Sequence, residues 1–265
     1  MNTDKFEQLK KIISSYSSAV VAFSGGVDST FLAKVAGDVL GDNILLITAT
    51  SSTYPHFELE ESKALARNLG LQQRIIVSEE LDIPGFTNNP PDRCYYCKGE
   101  LFDVIGHIAK AEGYEVVFDG SNADDVHDFR PGRKALAERG VKSPLCDAGL
   151  SKDDIRTLSR SLGLATADKP SYACLASRFP YGETITKKKL ERVGKAEEEI
   201  RALGFTQFRV RSHENLARIE IAASDMDKAW SLREKIDSLC RDAGFVYAAI
   251  DCRGYRTGSM NEVLK

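Results

Sequence analysis

Three of the six cysteines stand in company that suggests chemistry. Cys94 and Cys97 form a Cys-x-x-Cys pair within Arg93-Cys94-Tyr95-Tyr96-Cys97-Lys98, and Cys174 lies in Tyr172-Ala173-Cys174-Leu175-Ala176-Ser177-Arg178. Two thiolates at this spacing clamp one metal ion or one side of a cluster. A zinc site almost always takes four ligands, so the pair alone does not complete one. A redox disulfide uses the same spacing, but the flanks lack a thioredoxin-like pattern. Three cysteines can hold a 4Fe-4S cluster with one iron left open to carry an extra sulfide. Cys146, Cys240 and Cys252 stand alone and read as small buried hydrophobes.

A second constellation suits phosphate. Ser24-Gly25-Gly26-Val27-Asp28-Ser29 follows the apolar run 19–23 and precedes Phe31, Leu32, Val35, Ala36 and Val39 at helical spacing. Glycine lets the backbone approach a ligand closely, and a helix N-terminus offers N–H groups with a partial positive charge. Ser24 and Ser29 add hydroxyl donors. No Gly-Lys-Ser/Thr follows, so this is not a Walker A loop. A tight turn with a capping serine is the plainer explanation; the strand context and the full hexapeptide favour phosphate. Asp119-Gly120-Ser121-Asn122-Ala123-Asp124-Asp125 follows another apolar run. Carboxylates at a strand's carboxyl end can hold Mg²⁺ against a triphosphate. Helix-capping carboxylates in a polar turn explain those residues equally well.

The elements that must position these groups are legible in outline. Strands are expected at 19–23, 44–47, 75–77 and 116–118, with helices over 54–69 and 98–111. That alternation is α/β, with a parallel sheet covered on both faces. Ser151-x-x-Asp154 opens a helix over 151–162 ending at Gly163. Residues 168–184 read as a loop. Beyond it lie a helix over 186–203, alternating Phe208-x-Val210 and Ala217-x-Ile219-x-Ile221, a helix over 225–243 and a strand over 246–250. The expected division is therefore a nucleotide domain over 1–183 and a small α+β module over 184–265, serving substrate binding or oligomerisation. In that module Arg209 and Arg211 share one strand face, with Glu220 on the neighbouring strand. Such a cluster fits a substrate phosphate or a surface ion-pair ladder, and the two stay equally open.

Composition narrows the classes. The chain has 265 residues, 42% hydrophobic and 28% charged, which excludes disordered and fibrous chains. No apolar run approaches the roughly 18 residues of a membrane span, and MNTDKFEQLKK carries no secretory pattern. A cytoplasmic protein without membrane attachment is expected. The net charge of −3 leaves no polybasic stripe, so no stable nucleic-acid complex is expected either.

The hexapeptide resembles the pyrophosphate (PP) loop of the N-type ATP pyrophosphatases, among them the GMP, NAD and argininosuccinate synthetases and the tRNA-thiolating enzymes. That resemblance implies an adenine nucleotide alpha hydrolase-like fold and cleavage of ATP between the α and β phosphates. The set Ser-Gly-Gly-Val-Asp-Ser, Cys-Tyr-x-Cys-Lys, Gly-Ser-Asn-x-Asp-Asp and Cys-Leu-Ala-Ser-Arg-Phe-Pro-Tyr-Gly resembles the LarE family over nearly the whole chain. The resemblance implies an ATP-dependent sulfurtransferase. It would adenylylate a carboxylate of pyridinium-3,5-dicarboxylate mononucleotide, a nucleotide-like small molecule, and make a thiocarboxylate for nickel-pincer cofactor biosynthesis.

By the same resemblance, Ser24, Gly25, Gly26, Val27, Asp28 and Ser29 hold the pyrophosphate, with Asp28 catalytic and Mg²⁺ near Asp28 and Asp125. Gly120 and Asn122 belong to the second phosphate segment, and Thr48 and Ala49 seat the adenosine by position. Lys98, Ser177 and Arg178 meet phosphates, and Arg209, Arg211 and Glu220 meet the substrate phosphate. Single-cysteine members sacrifice the sulfur of the residue matching Cys174. Three-cysteine members, which this chain resembles, carry sulfide on a 4Fe-4S cluster held here by Cys94, Cys97 and Cys174. A homo-oligomer is implied, with the sulfide source left open. Two rivals remain, a tRNA-thiolating enzyme and an ammonia-using synthetase of the NAD or GMP type. The first lacks an RNA-binding surface in the sequence, and the second has no use for the three cysteines.

Overall fold

An apolar strand with no polar face must be covered from both sides, and Ala19–Ala22 (β1) is such a strand. In the computed structural model, which describes residues 2–126, 131–170, 172–256 and 258–264, Ala19 and Val21 point into one core and Val20 into another. Ile44–Thr50 (β2) behaves likewise, sending Ile44 and Leu46 one way and Leu45 and Ile47 the other. Gln73–Val77 (β3) and Val116–Phe118 (β4) complete a parallel sheet of order β3-β2-β1-β4.

Helices cover both faces. On one, Asn2–Ile13 (α1) contributes Leu9 and Ile13, and Val27–Leu40 (α2) contributes Phe31, Leu32 and Val35. His56–Leu69 (α3) adds Ala66 to that core. The other face takes Phe102, Ile105 and Ala109 from Arg93–Ala111 (α4) and Leu136 from Gly132–Glu138 (α5). Pro144–Asp147 (α6) and Lys152–Ser161 (α7) return Leu145 and Ile155 to the first core. The carboxyl ends of β1 and β4 feed the Ser24–Ser29 turn and the Asp119–Asp125 segment, which sets those two beside each other.

The second unit has its own core. Lys187–Ala202 (α8) buries Leu190, Val193, Ala196 and Ile200. Phe208–His213 (β5) pairs antiparallel with Leu216–Ile221 (β6), as the alternation predicts. The single helix expected over 225–243 breaks at Leu232 into Met226–Ser231 (α9) and Arg233–Asp242 (α10). Tyr247–Ile250 (β7) then adds parallel to β6.

The boundary differs from the expected 183/184. The chain divides into Met1–Ile83 with Asp92–Tyr172, and Pro84–Pro91 with Ala173–Lys265. Hydrogen bonds give the reason. Asn89 Nδ2 donates to the carbonyls of Phe179 and Pro180, Gly182 N to Asn89 O, and Ile185 N to Thr87 O. These bonds sew 84–91 to the second unit across some 90 positions of sequence, which no local pattern reveals. No helix among the described residues is long and apolar enough to cross a membrane.

The capping box at α7 forms as expected. Ser151 Oγ accepts from Asp154 N at 3.2 Å, and the Asp154 carboxylate accepts from Ser151 N at 3.1 Å. Lys5 adds an ion pair at 2.6 Å, and these contacts, the Lys5 bond first, hold the Asp154 carboxyl below the usual range. Its contribution is therefore complete above the ordinary aspartate pKa of about 3.9 and lost as pH falls through the lower folded value. Asp154→Asn should cost about 1 kcal/mol at neutral pH. Urea unfolding should show that gap closing below about pH 4; a pH-independent gap contradicts the assignment.

Candidate active site

The first turn of α2 leaves N–H groups without intrahelical acceptors, and its N-cap Gly26 supplies no side-chain acceptor. Gly25 has φ +70°, and a Cβ there would come within 3.1 Å of Ser62, so both the turn and the packing require glycine. Ser24 and Ser29 flank the turn with their hydroxyls 3.1 Å apart. The turn is pinned from outside. Tyr54 Oη donates to Ser24 O at 3.0 Å, and Lys169 Nζ donates to Gly25 O at 3.2 Å while pairing with Glu58 and Glu61. Burial, then Glu58 and Glu61, push the Tyr54 phenol up, so it stays a donor.

Asp28 points from the first turn of α2 toward the second segment. Its carboxylate accepts from Asn122 Nδ2 at 3.4 Å and from the Lys152 ammonium. Asn122 N donates to Asp125 Oδ2 at 3.1 Å, so Asn122 links Asp28 to Asp125. Asp125 is buried. Gly120 is required by the same closeness, since a Cβ there would lie 3.2 Å from Ser29 N. Asp119 turns elsewhere and accepts from the Ser121 and Ser143 hydroxyls. Two carboxylates joined through Asn122 beside an uncapped helix N-terminus suit Mg²⁺ and a polyphosphate by the chemistry of the donor set.

Other expected residues fall out differently. The Thr48 hydroxyl is buried and donates to Phe23 O, so of the two residues expected at the adenosine Ala49, half-buried, is the more open. Lys98 lies 3.9 Å from Asp119, its stem against Gly132. The helix expected to start at 98 starts at Arg93, so Cys94 and Cys97 lie among its first five residues, three positions apart on one side. Cys94 is exposed; the Cys97 thiol donates to Glu80 Oε1 at 3.7 Å. Burial raises the Glu80 carboxyl.

Cys174 belongs to the second unit, at the head of a short 3₁₀ turn, Leu175–Arg178, and is exposed. Among the described residues, no three His, Cys, Asp or Glu side chains are grouped so as to hold a metal ion. Of the lone cysteines only Cys240 is fully buried, its thiol pushed up to about 12; Cys146 is half-buried and Cys252 exposed.

Arg209, Arg211 and Glu220 form a buried cluster, not an exposed ladder. Arg211 Nη2 donates to Glu220 Oε2 at 2.7 Å and to Ser259 Oγ at 2.8 Å, and Nη1 to Ser177 O at 2.9 Å. Its buried Nε has no hydrogen-bond partner. Arg209 lies over the Tyr255 ring, 5.2 Å from its centroid. Arg178 is buried against Glu197. Sequence reasoning missed Tyr54, Lys152 and Lys169. Lys152 follows the capping serine of α7, but its partner is 124 positions away.

The chain is 37% identical to the pyridinium-3,5-bisthiocarboxylic acid mononucleotide synthase of Lactiplantibacillus plantarum over 245 residues, covering 92% of this chain and 89% of the relative. The chain belongs to the LarE family. Residues 4–83 also match the NAD synthase family model, which fits the parallel sheet and the PP loop. The protein slr1717 of Synechocystis, which carries no assigned activity, is 45% identical over the full length of this chain and 99% of its own. A glutamine-hydrolysing GMP synthase component from Methanococcus maripaludis is 28% identical over 61% of this chain and 54% of its own. LarE-family membership makes the chain an ATP-using sulfurtransferase enzyme.

Gly120→Ala tests the packing of the two phosphate segments. The added methyl must push the start of α2 by a few tenths of an ångström. Pyrophosphate release from ATP should fall by roughly tenfold, with about 1 kcal/mol of lost stability. Unchanged release would show that the 119–122 turn does not set the position of the loop.

Proposed function

We propose that this enzyme adenylylates a carboxylate of pyridinium-3,5-dicarboxylate mononucleotide and replaces its oxygen with sulfur. The observation that carries the proposal is the uncapped start of α2 with Asp28 linked through Asn122 to Asp125, in a chain similar to the bisthiocarboxylic acid mononucleotide synthase over 92% of its length.

In this proposal the α2 N-terminus, Ser24 and Ser29 receive the β and γ phosphates, and Asp28 and Asp125 hold Mg²⁺. The bound ion would neutralise charge on the phosphates. The substrate carboxylate attacks the α-phosphorus in line, the bond to the β-phosphate oxygen breaks, and pyrophosphate leaves. Sulfur then attacks the acyl carbon and AMP departs, carrying the carboxylate oxygen. Lys98 and Lys152 supply cationic charge at the carboxyl end of the sheet. Arg209 and Arg211 take the substrate phosphate with Glu220 orienting Arg211, and the unpartnered Arg211 Nε supports that assignment. The nucleotide substrate, a cytoplasmic setting and a homo-oligomer are parts of the same proposal.

The sulfur enters from the cysteine set. Cys94 and Cys97 offer two ligands on one helical turn and Cys174 a third, and a 4Fe-4S cluster on them would supply sulfide as the nucleophile. The rival is Cys174 giving up its own sulfur. Protein purified without oxygen should show labile sulfide and about four irons per chain. Iron-free protein that turns over once and loses mass at Cys174 would favour the rival.

With ATP, Mg²⁺ and the dicarboxylate nucleotide, the products should be AMP and pyrophosphate, and Asp28→Ala should lose them while staying folded. ADP and phosphate would rule the proposal out. The chain should bind tRNA weakly at physiological salt; tight, salt-sensitive binding would favour the tRNA-thiolating rival.

A further inference from the structure

A charged side chain is almost never fully buried unless it is paired and hydrogen-bonded. Arg178 is fully buried. Its Nε and Nη2 fork onto Glu197 Oε1 and Oε2 at 2.8 and 2.9 Å, with both side chains closed to water. Its Nη1 reaches back along the chain. It donates to Ala173 O at 2.8 Å, to Cys174 O at 3.3 Å and to Ser177 Oγ at 2.8 Å. Glu197 is held in turn, because its Oε1 also accepts from Val210 N at 2.9 Å. Every nitrogen of the guanidinium donates within the protein, so the resemblance-based role at a phosphate has no open donor pair to work with.

We propose that Arg178 and Glu197 are positioning residues that lock the backbone of the Cys174 turn to α8 and β5, fixing where the thiol stands. The proposal rests on the sulfur-transfer reading for its functional consequence, not for its geometry. Cys174 and Ala173 are exposed, so burial holds them little. Their carbonyls are held instead, by a donor that is itself immobile. The turn's own bond, Ser177 N to Cys174 O at 3.0 Å, closes the loop that the guanidinium braces. A lysine cannot replace it, since one ammonium cannot fork onto a carboxylate and also reach two carbonyls behind it. A reacting sulfur displaced by about 1 Å loses on the order of 10²-fold in rate.

The test combines hydrogen exchange, read by mass spectrometry over residues 173–179, with rates of pyrophosphate release and thiocarboxylate formation. In Arg178→Lys and in the milder Glu197→Gln, exchange over that peptide should quicken by roughly tenfold, while β6 keeps its protection. Thiocarboxylate formation should fall by about 10²-fold and pyrophosphate release stay within about twofold. Wild-type exchange at the turn, or both rates falling together, overturns the proposal. If Arg178→Lys does not fold, Glu197→Gln, which keeps the acceptor for Val210 N, decides alone. If the wild-type chain makes no thiocarboxylate, the sulfur-transfer reading fails, and exchange at the turn still decides whether the pair positions it.

Discussion

The N–H groups at the start of α2 have no acceptor of their own, and the first unit is arranged around that shortage. A helix that ends without a cap has a partial positive charge to offer. Gly26 gives it no capping oxygen, while Tyr54 and Lys169 hold the preceding carbonyls from the outside. The turn is thereby held through its carbonyls, while Ser24 N and Gly26 N donate to the Ser29 and Ser24 hydroxyls within it. Ligand-binding loops of this kind work when neighbours fix them before the ligand arrives. Gly25 and Gly120 remove the side chains that would keep Ser62 and Ser29 away.

Charge is used in opposite ways by the two units. Around α2 the ionic partners are partly exposed: Asp28 and Lys152 have side chains 23% and 27% open to solvent. Such a pair exchanges partners at small cost, because water screens both members. In the second unit Arg178, Glu197, Arg211 and Glu220 are buried, and every one of them is paired. Removing one partner of a buried pair leaves an uncompensated charge and costs about 3–5 kcal/mol. That cost suits the Arg178–Glu197 pair to holding a backbone still. The Cys174 turn is held by both guanidinium groups, Arg178 at residues 173, 174 and 177 and Arg211 at Ser177 O.

The cysteine pair shows how local structure changes a chemical argument. Read as a turn, Cys94 and Cys97 have no defined orientation. At the start of α4 they lie three positions apart, so their thiols share a side of the helix. They also stand near its N-terminus. The Cys97 thiol donates to Glu80, whose carboxyl is raised by burial.

Features that depend on near neighbours along the chain were legible from residue order. Apolar runs specified the four parallel strands, Ser151 and Asp154 specified the cap of α7, and alternation specified the β5–β6 pair. The Ser24–Ser29 turn and the cysteine motifs could be read because their residue types and spacing lie within a few positions. Features that depend on distant partners came only with folding. Lys152 meets Asp28, Lys169 meets Gly25, and segment 84–91 joins the second unit, none with a local signal. Arg178 is expected at a phosphate by family resemblance, carried over from its place after Cys174 and Ser177. Only the fold brings Glu197 from α8 against it, and a buried guanidinium must take the acceptor it is given.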